Sequence, residues 1–162
     1  MKRKPLAGFS GDMVIFGCGT MASAMLHRWL ECGLDPARVT AIRPSGTPVA
    51  PDVAVHGTAD GMVEPGLLLL GIKPQMLGTL AEQIEPLAGP NTLVISILAG
   101  VDIEELQRLL PRAGCVVRAM PNLPVATGNG VVATVGDAHD PAVAKLVGAL
   151  MAPLGLVYPM VD

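Results

Sequence analysis

The chain has 162 residues, a length for one domain, with 51% apolar and only 15% charged residues, which excludes an intrinsically disordered polymer. Its formal charge of −3, with no basic stripe beyond Lys2-Arg3-Lys4, argues against nucleic acid as a partner. Three cysteines, Cys18, Cys32 and Cys115, form no C-x-x-C pair and lie near no histidine at ligand spacing, so neither a metal site nor a disulfide framework is expected, and a reducing cytoplasmic setting is.

Aromatic residues make up just 2%, leaving Ala, Val, Leu, Ile and Met to build the core, a composition suited to strands covered on both faces by helices. Residues 1–12 read as a flexible tail, and residues 13–162 as one nucleotide-binding domain. Lys2 to Lys4, the apolar run after them and Ala22-Ser23-Ala24 imitate a signal peptide. Gly11-Asp12 interrupt that pattern, and cleavage would destroy the glycine motif that follows. No run of 18 or more apolar residues suggests a membrane span.

Met13 to Phe16 is the first predicted strand. Gly17-Cys18-Gly19 follows at once, and then a helix over Thr20–Glu31 with apolar residues at 21, 25, 26, 29 and 30. Gly33 stands where a helix-ending glycine belongs. Val39 to Ile42 is the second strand, so the first fifty residues read as βαβ. The alternation continues with a strand over Leu67–Ile72, a helix from Pro74 ended by Pro86 and Gly89-Pro90, and a strand over Thr92–Ile97. Asp102 caps a helix running to Leu110, and Cys115–Ala119 and Gly130–Val135 are strands. Asp140-Pro141 opens a helix to about Met151, before a short strand at Val157-Tyr158. Strands and helices alternating throughout imply a doubly wound, mostly parallel sheet.

Gly17-Cys18-Gly19-Thr20-Met21-Ala22 matches G-x-G-x-x-A. In this pattern the first glycine makes the tight turn, and the second leaves the pyrophosphate room. The small third residue lets helix and strand pack closely. The alternative is a glycine turn needed only for packing. About 20 residues on, where NAD enzymes carry an acidic residue for the ribose hydroxyls, the chain reads Ile42-Arg43-Pro44-Ser45. A guanidinium and a hydroxyl suit a 2′-phosphate, which favours NADPH, with NADH as the alternative; otherwise Arg43 is a solvated loop arginine.

Three more segments stand at predicted strand ends: Leu70-Gly71-Ile72-Lys73-Pro74-Gln75, Ile95-Ser96-Ile97-Leu98-Ala99-Gly100-Val101 and Arg118-Ala119-Met120-Pro121-Asn122-Leu123-Pro124. In this order, with the glycine motif, they resemble pyrroline-5-carboxylate reductase from about Met13 to Val161. The Lys-Pro and Ala-Gly strings are shared with wider β-hydroxyacid-dehydrogenase relatives; Met-Pro-Asn is more selective. The resemblance implies a Rossmann-like fold and hydride transfer from NADPH to the C=N carbon of 1-pyrroline-5-carboxylate, giving L-proline. It assigns cofactor contacts to Phe16, Gly17, Cys18, Gly19, Thr20, Met21 and Ala22. Arg43 and Ser45 would take the adenosine phosphate, and Gly71, Ile72, Lys73 and Pro74 would line the next strand end. Ala99 and Gly100 would approach the nicotinamide, with Met120 and Asn122 bordering the substrate.

Lys73 is alternatively an ordinary surface lysine, and Asn122 a turn residue bonding its own backbone. Thr58 stands where relatives often carry a cofactor-binding asparagine. No catalytic residue is assigned, because a protonated imine already accepts hydride and positioning does the work. The family's helical C-terminal dimerisation domain would begin where this chain stops. The chain is therefore expected to bind cofactor, to turn over substrate poorly alone, and to form a homo-oligomer only with that domain. The rival readings are a non-catalytic NADP-binding regulatory module and another imine or 2-oxoacid reductase. His27, His56 and His139 pair with no nucleophile by spacing and read as structural.

Overall fold

The computed structural model describes residues 4–136 and 140–160; His139 lies outside them. Four-residue strands β1 (Met13–Phe16), β2 (Val39–Ile42), β4 (Leu67–Leu70) and β5 (Leu93–Ser96) form the middle of the molecule. β3 (Ala54–His56), β6 (Cys115–Pro121), β7 (Gly130–Gly136) and β8 (Gly155–Pro159) complete one eight-stranded sheet. Its order is β3-β2-β1-β4-β5-β6-β7-β8, parallel except where β6 meets β7. The mostly parallel, doubly wound sheet read from the sequence is thus the observed one. β3 was not anticipated: it has three residues, two of them exposed, too few for an apolar alternation to register.

The helices are α1 (Thr20–Glu31), α2 (Leu77–Ile84), α3 (Ile103–Leu109) and α4 (Pro141–Met151). Their starts follow from capping chemistry. The Asp102 carboxylate accepts from the Glu105 amide at 2.8 Å, and Asp140 accepts from the Ala142 amide at 2.8 Å with Pro141 in the first turn. Pro74 opens a 3₁₀ turn rather than α2 itself, and Pro86 sits inside the 3₁₀ turn that closes α2. Gly33 follows α1 with φ +101° and donates to the Leu30 carbonyl, the left-handed stop its position predicts.

Successive residues of the central strands feed two cores, as the pleat requires. Ile15, Leu67, Leu69, Ile95 and Val117 pack beneath α1 and α4, joined by Met25, Trp29 and Leu150. Val14, Phe16, Leu68, Leu70 and Val94 pack beneath α2 and α3 with Leu77, Ile84 and Leu106. The Trp29 indole donates to the Leu150 carbonyl at 2.6 Å, tying α1 to α4. Residues 4–11 correct the expectation of a free tail. Leu6 is buried at 3% exposure, its amide donates to the Cys32 carbonyl, and Phe9 packs on the first core. An apolar side chain with a core slot at hand is worth about 1.5–3 kcal/mol when buried.

Candidate functional site

In an open α/β sheet the ligand-binding crevice lies beyond the carboxyl ends of the strands, where the strand order reverses. Here that point is the C-terminal end of β1, flanked by β2 on one side and β4 on the other. The ladders extend past the strands to define the edge. The Gly17 amide donates to the Ile42 carbonyl at 2.9 Å, Gly71 to Phe16 at 2.9 Å, and Ile97 to Leu70 at 3.1 Å.

Gly17 has φ +83°, and a Cβ on it would overlap Ile72, lying 2.8 Å from that residue's backbone nitrogen and Cα. A Cβ on Gly71 would overlap the Gly17 carbonyl and come within 2.9 Å of the Ala22 Cβ. Gly17, Gly71 and the small Ala22 therefore let the loops after β1 and β4 and the start of α1 close on one another. Gly19 differs in kind: a Cβ there would meet nothing within 4 Å. Its φ of −82° is open to any residue, so neither packing nor backbone demands glycine. It caps α1, which has no side-chain cap and no acidic residue in its first turn. Exposed amides at an uncapped helix start, with clear space above a glycine, form a place where an anionic group fits.

Cys18 lies buried inside the loop, and burial pushes its thiol above the usual range, opposed by the Arg43 guanidinium. The bond from the Gly17 amide to the Ile42 carbonyl places Arg43, just after β2, beside the glycine loop. The amide of Arg43 donates to the His56 carbonyl at 2.9 Å, so β3 braces the segment. The chain then turns through Pro44, with the Gly46 amide returning to the Arg43 carbonyl at 3.0 Å. The Ser45 hydroxyl oxygen accepts from the Thr47 amide at 3.3 Å and the Thr47 hydroxyl at 2.9 Å.

Phe16, Gly17, Cys18, Gly19, Thr20, Met21, Ala22, Arg43, Ser45, Gly71, Ile72, Lys73, Pro74, Ala99, Gly100, Met120 and Asn122 thus all fall on β1, β4, β5 and β6 ends or the segments directly after the parallel strands. Lys73 is exposed, as are Ala99 and Gly100. Thr58, just after β3, donates its hydroxyl to Asp60 Oδ2 at 2.9 Å within its own turn. Asn122 bonds neither its own backbone nor a neighbour: its Oδ1 accepts from the Val131 amide at 2.8 Å, stapling the start of β7 to the end of β6. Its side-chain NH₂ remains as a donor.

Two residues of this edge escaped sequence reading. Thr47 organises the Ser45 turn, and only its position two residues past Ser45 hinted at it. Arg118 pairs in register with Ser96 and Val135. Its Nε is buried with no hydrogen-bond partner among the described residues, while its Nη2 lies 3.8 Å from the Met120 sulfur. Apolar concavities lie elsewhere, one lined by Val117, Val143, Val147 and Val157, another between residues 5–11 and α4 at the opposite edge. Neither lies at the glycine-loop edge.

Sheet order, glycine loop and the crevice after β1 define a Rossmann-like domain of the dinucleotide-binding class. Residues 12–100 match the family described as NADP oxidoreductase, coenzyme F420-dependent, more than half of the chain, and the protein belongs to it. Among curated proteins it is 29% identical to a pyrroline-5-carboxylate reductase of Vibrio alginolyticus, an alignment covering 78% of this chain and 49% of that protein. It is 35% identical to the corresponding protein of Synechocystis sp., covering 74% and 46%. The chain spans about half the length of the curated relatives it matches. Its fold is that of the Plasmodium falciparum pyrroline carboxylate reductase crystallised with NADP bound. That likeness has a TM-score of 0.82 at 19% identity, covering 93% of this chain and 58% of that one. No described helix is long and apolar enough to cross a membrane.

Proposed function

We propose that the chain binds NADPH along the ledge formed by the ends of β2, β1, β4, β5 and β6, as the cofactor-holding part of a pyrroline-5-carboxylate reductase in proline synthesis. The observation that carries this reading is the contrast between two glycines of one loop. Gly17 is required by its φ and by Ile72, whereas Gly19 is required by nothing in the protein itself. A residue kept small over clear space at an uncapped helix start serves a ligand, and the pyrophosphate of a dinucleotide has the charge and reach for it.

From that anchor the adenosine half extends towards Arg43 and Ser45, and the nicotinamide half towards Ala99, Gly100 and Met120. When bound, the cofactor supplies the hydride. The chain's own groups bind and orient. Arg43 and Ser45 donate to the 2′-phosphate. The loop between Gly71 and Pro74 packs under the glycine loop, and the Asn122 NH₂ stands free to donate at the substrate border. Lys73 is a candidate donor to the cofactor's ribose or carboxamide. The substrate is a cyclic imine carboxylate whose protonated C=N carbon takes the hydride, leaving the product amine. A protonated imine already accepts hydride, so orientation does the catalytic work of this domain. The buried thiols of Cys18 and Cys32, in no disulfide among the described residues, fit a reducing, cytoplasmic compartment.

The test is calorimetric titration of the purified chain with NADPH and with NADH. NADPH binding about tenfold tighter, roughly 1.4 kcal/mol, is the expected result. Binding of neither cofactor overturns the reading.

A further inference from the structure

We propose that two copies of this chain pair through the outer edge of β8, as an antiparallel β8–β8 ladder centred on Val157. The pairing uses only this chain's own strand, against the expectation that self-association needs a further domain.

β8 ends the sheet order and pairs with β7 alone among the described strands, so its outer edge offers backbone groups to another strand. The ladder to β7 fixes which groups those are. The Met160 amide donates to the Thr134 carbonyl at 2.7 Å. Alternate residues of a strand face the same neighbour, so Leu156, Tyr158 and Met160 turn their backbone groups to β7. Gly155, Val157 and Pro159 turn theirs outward. Of these three only Val157 has an amide to give. The Gly155 amide donates to the Ala152 carbonyl in the turn before the strand, and proline has none.

A strand that satisfies this single donor symmetrically is a second β8, related by a two-fold axis at Val157. Each Val157 amide then donates to the carbonyl of the other. Gly155 falls opposite Pro159 of the second copy, where neither residue has an amide left without an acceptor. The side chains agree with the same register. Leu156 falls opposite Tyr158 of the second copy, and Tyr158 opposite its Leu156, in the pairs flanking the hydrogen bonds, where side chains come closest. Both are exposed, at 64% and 63%. No residue from Ala152 to Met160 carries a charge, so the two strands meet without repulsion. The axis stands normal to the sheet, so the uncovered faces of the two copies join on one side. The two glycine-loop edges open in opposite directions, and pairing obstructs neither.

The contact is small and belongs with weak, transient interfaces, so the dimer should form as concentration rises. Sedimentation velocity of the full chain, from dilute to sub-millimolar solution, is expected to show one monomer–dimer equilibrium. Leu156→Lys and Tyr158→Glu each set a charge against an apolar side chain and should weaken the dimer about tenfold. Both positions are exposed, so each variant should keep the thermal midpoint of the unaltered chain in dilute solution, which checks the fold. Mixed in equal amounts, the two variants bring opposite charges together at one cross-strand pair and keep the Leu–Tyr contact at the other. A one-to-one dimer should therefore return. A chain that stays monomeric, association that runs past two copies, a dimer that survives both variants, or a mixture that pairs no better than its components would each overturn the proposal.

Discussion

The two ends of the binding ledge are built differently. Around β1, β2 and β4 the strand-end groups are tied inside the chain, Arg43 and Ser45 to Thr47 and the Gly17 and Gly71 amides to neighbouring strand carbonyls, and the uncapped start of α1 stands between them. Around β6, β7 and β8 the face on the α2 and α3 side is uncovered. Met120, Val131, Leu156 and Tyr158 stand there with exposures of 40%, 44%, 64% and 63%. Register places Ala133 between Met120 and Tyr158, and Val131 beside Leu156, so they form one apolar patch with Arg118 at its margin. The end at β1, β2 and β4 thus carries the motif loops, while the end at β6, β7 and β8 presents apolar surface and a buried Arg118 N–H with no acceptor among the described residues.

The sharpest way to break the comparison is at Gly17. Gly17→Ala would place a Cβ against the Ile72 backbone at a φ that L-residues rarely adopt, and should cost about 2–4 kcal/mol of stability. A urea titration reads this as a lower midpoint with unchanged slope. An unshifted midpoint would mean that the β1 and β4 loops do not close as described. At Arg43 the expected loss is of function instead. Arg43→Met removes charge-assisted bonds worth about 1.5–3 kcal/mol, so NADPH affinity should fall by one to two orders of magnitude with NADH affinity unchanged. The same variant removes the cation that opposes the burial of Cys18. The thiol, already titrating above the usual range, is pushed higher, so its alkylation at mildly alkaline pH should slow. Third in size is Gly19→Ala, where a Cβ meets only open space. Stability should change by under about 1 kcal/mol, while NADPH affinity falls about tenfold as the methyl intrudes on the pyrophosphate.

These positions also show what the sequence could convey. The strands of the middle were legible because Leu67–Leu70 and Leu93–Ser96, buried on both faces, leave unbroken apolar runs. Helix starts were legible because Asp102 and Asp140 are local capping devices whose partners lie two or three residues away. The glycine loop was legible for the same reason, being one contiguous string. What needed the structure is set by contacts between distant segments. β3 exists because Ala54–His56 meets β2, and Leu6 is buried because the carbonyl of Cys32 and a core slot await it. Asn122 is a staple because β7 returns antiparallel to β6. Within the site the division is the same: motif spacing yielded the strand ends, but the bonds of Thr47 to Ser45 depend on how one turn folds back.

Arg118 gives the smallest expected effect and the most direct probe of the substrate end. Its Nε is buried with no partner among the described residues, and an unmatched buried donor costs about 1–3 kcal/mol. Replacing the side chain with one of similar reach and no polar atoms removes that cost along with the attractive contact to the Met120 sulfur, which is weak. Arg118→Met should therefore stabilise the isolated chain by about 1 kcal/mol, raising its thermal midpoint by roughly 2–4 °C with NADPH affinity untouched. A lower midpoint would show that Arg118 already has an acceptor and that the substrate end is as self-contained as the nucleotide end. A higher one would mean that the chain keeps, against its own stability, a donor positioned for an acceptor it does not itself supply.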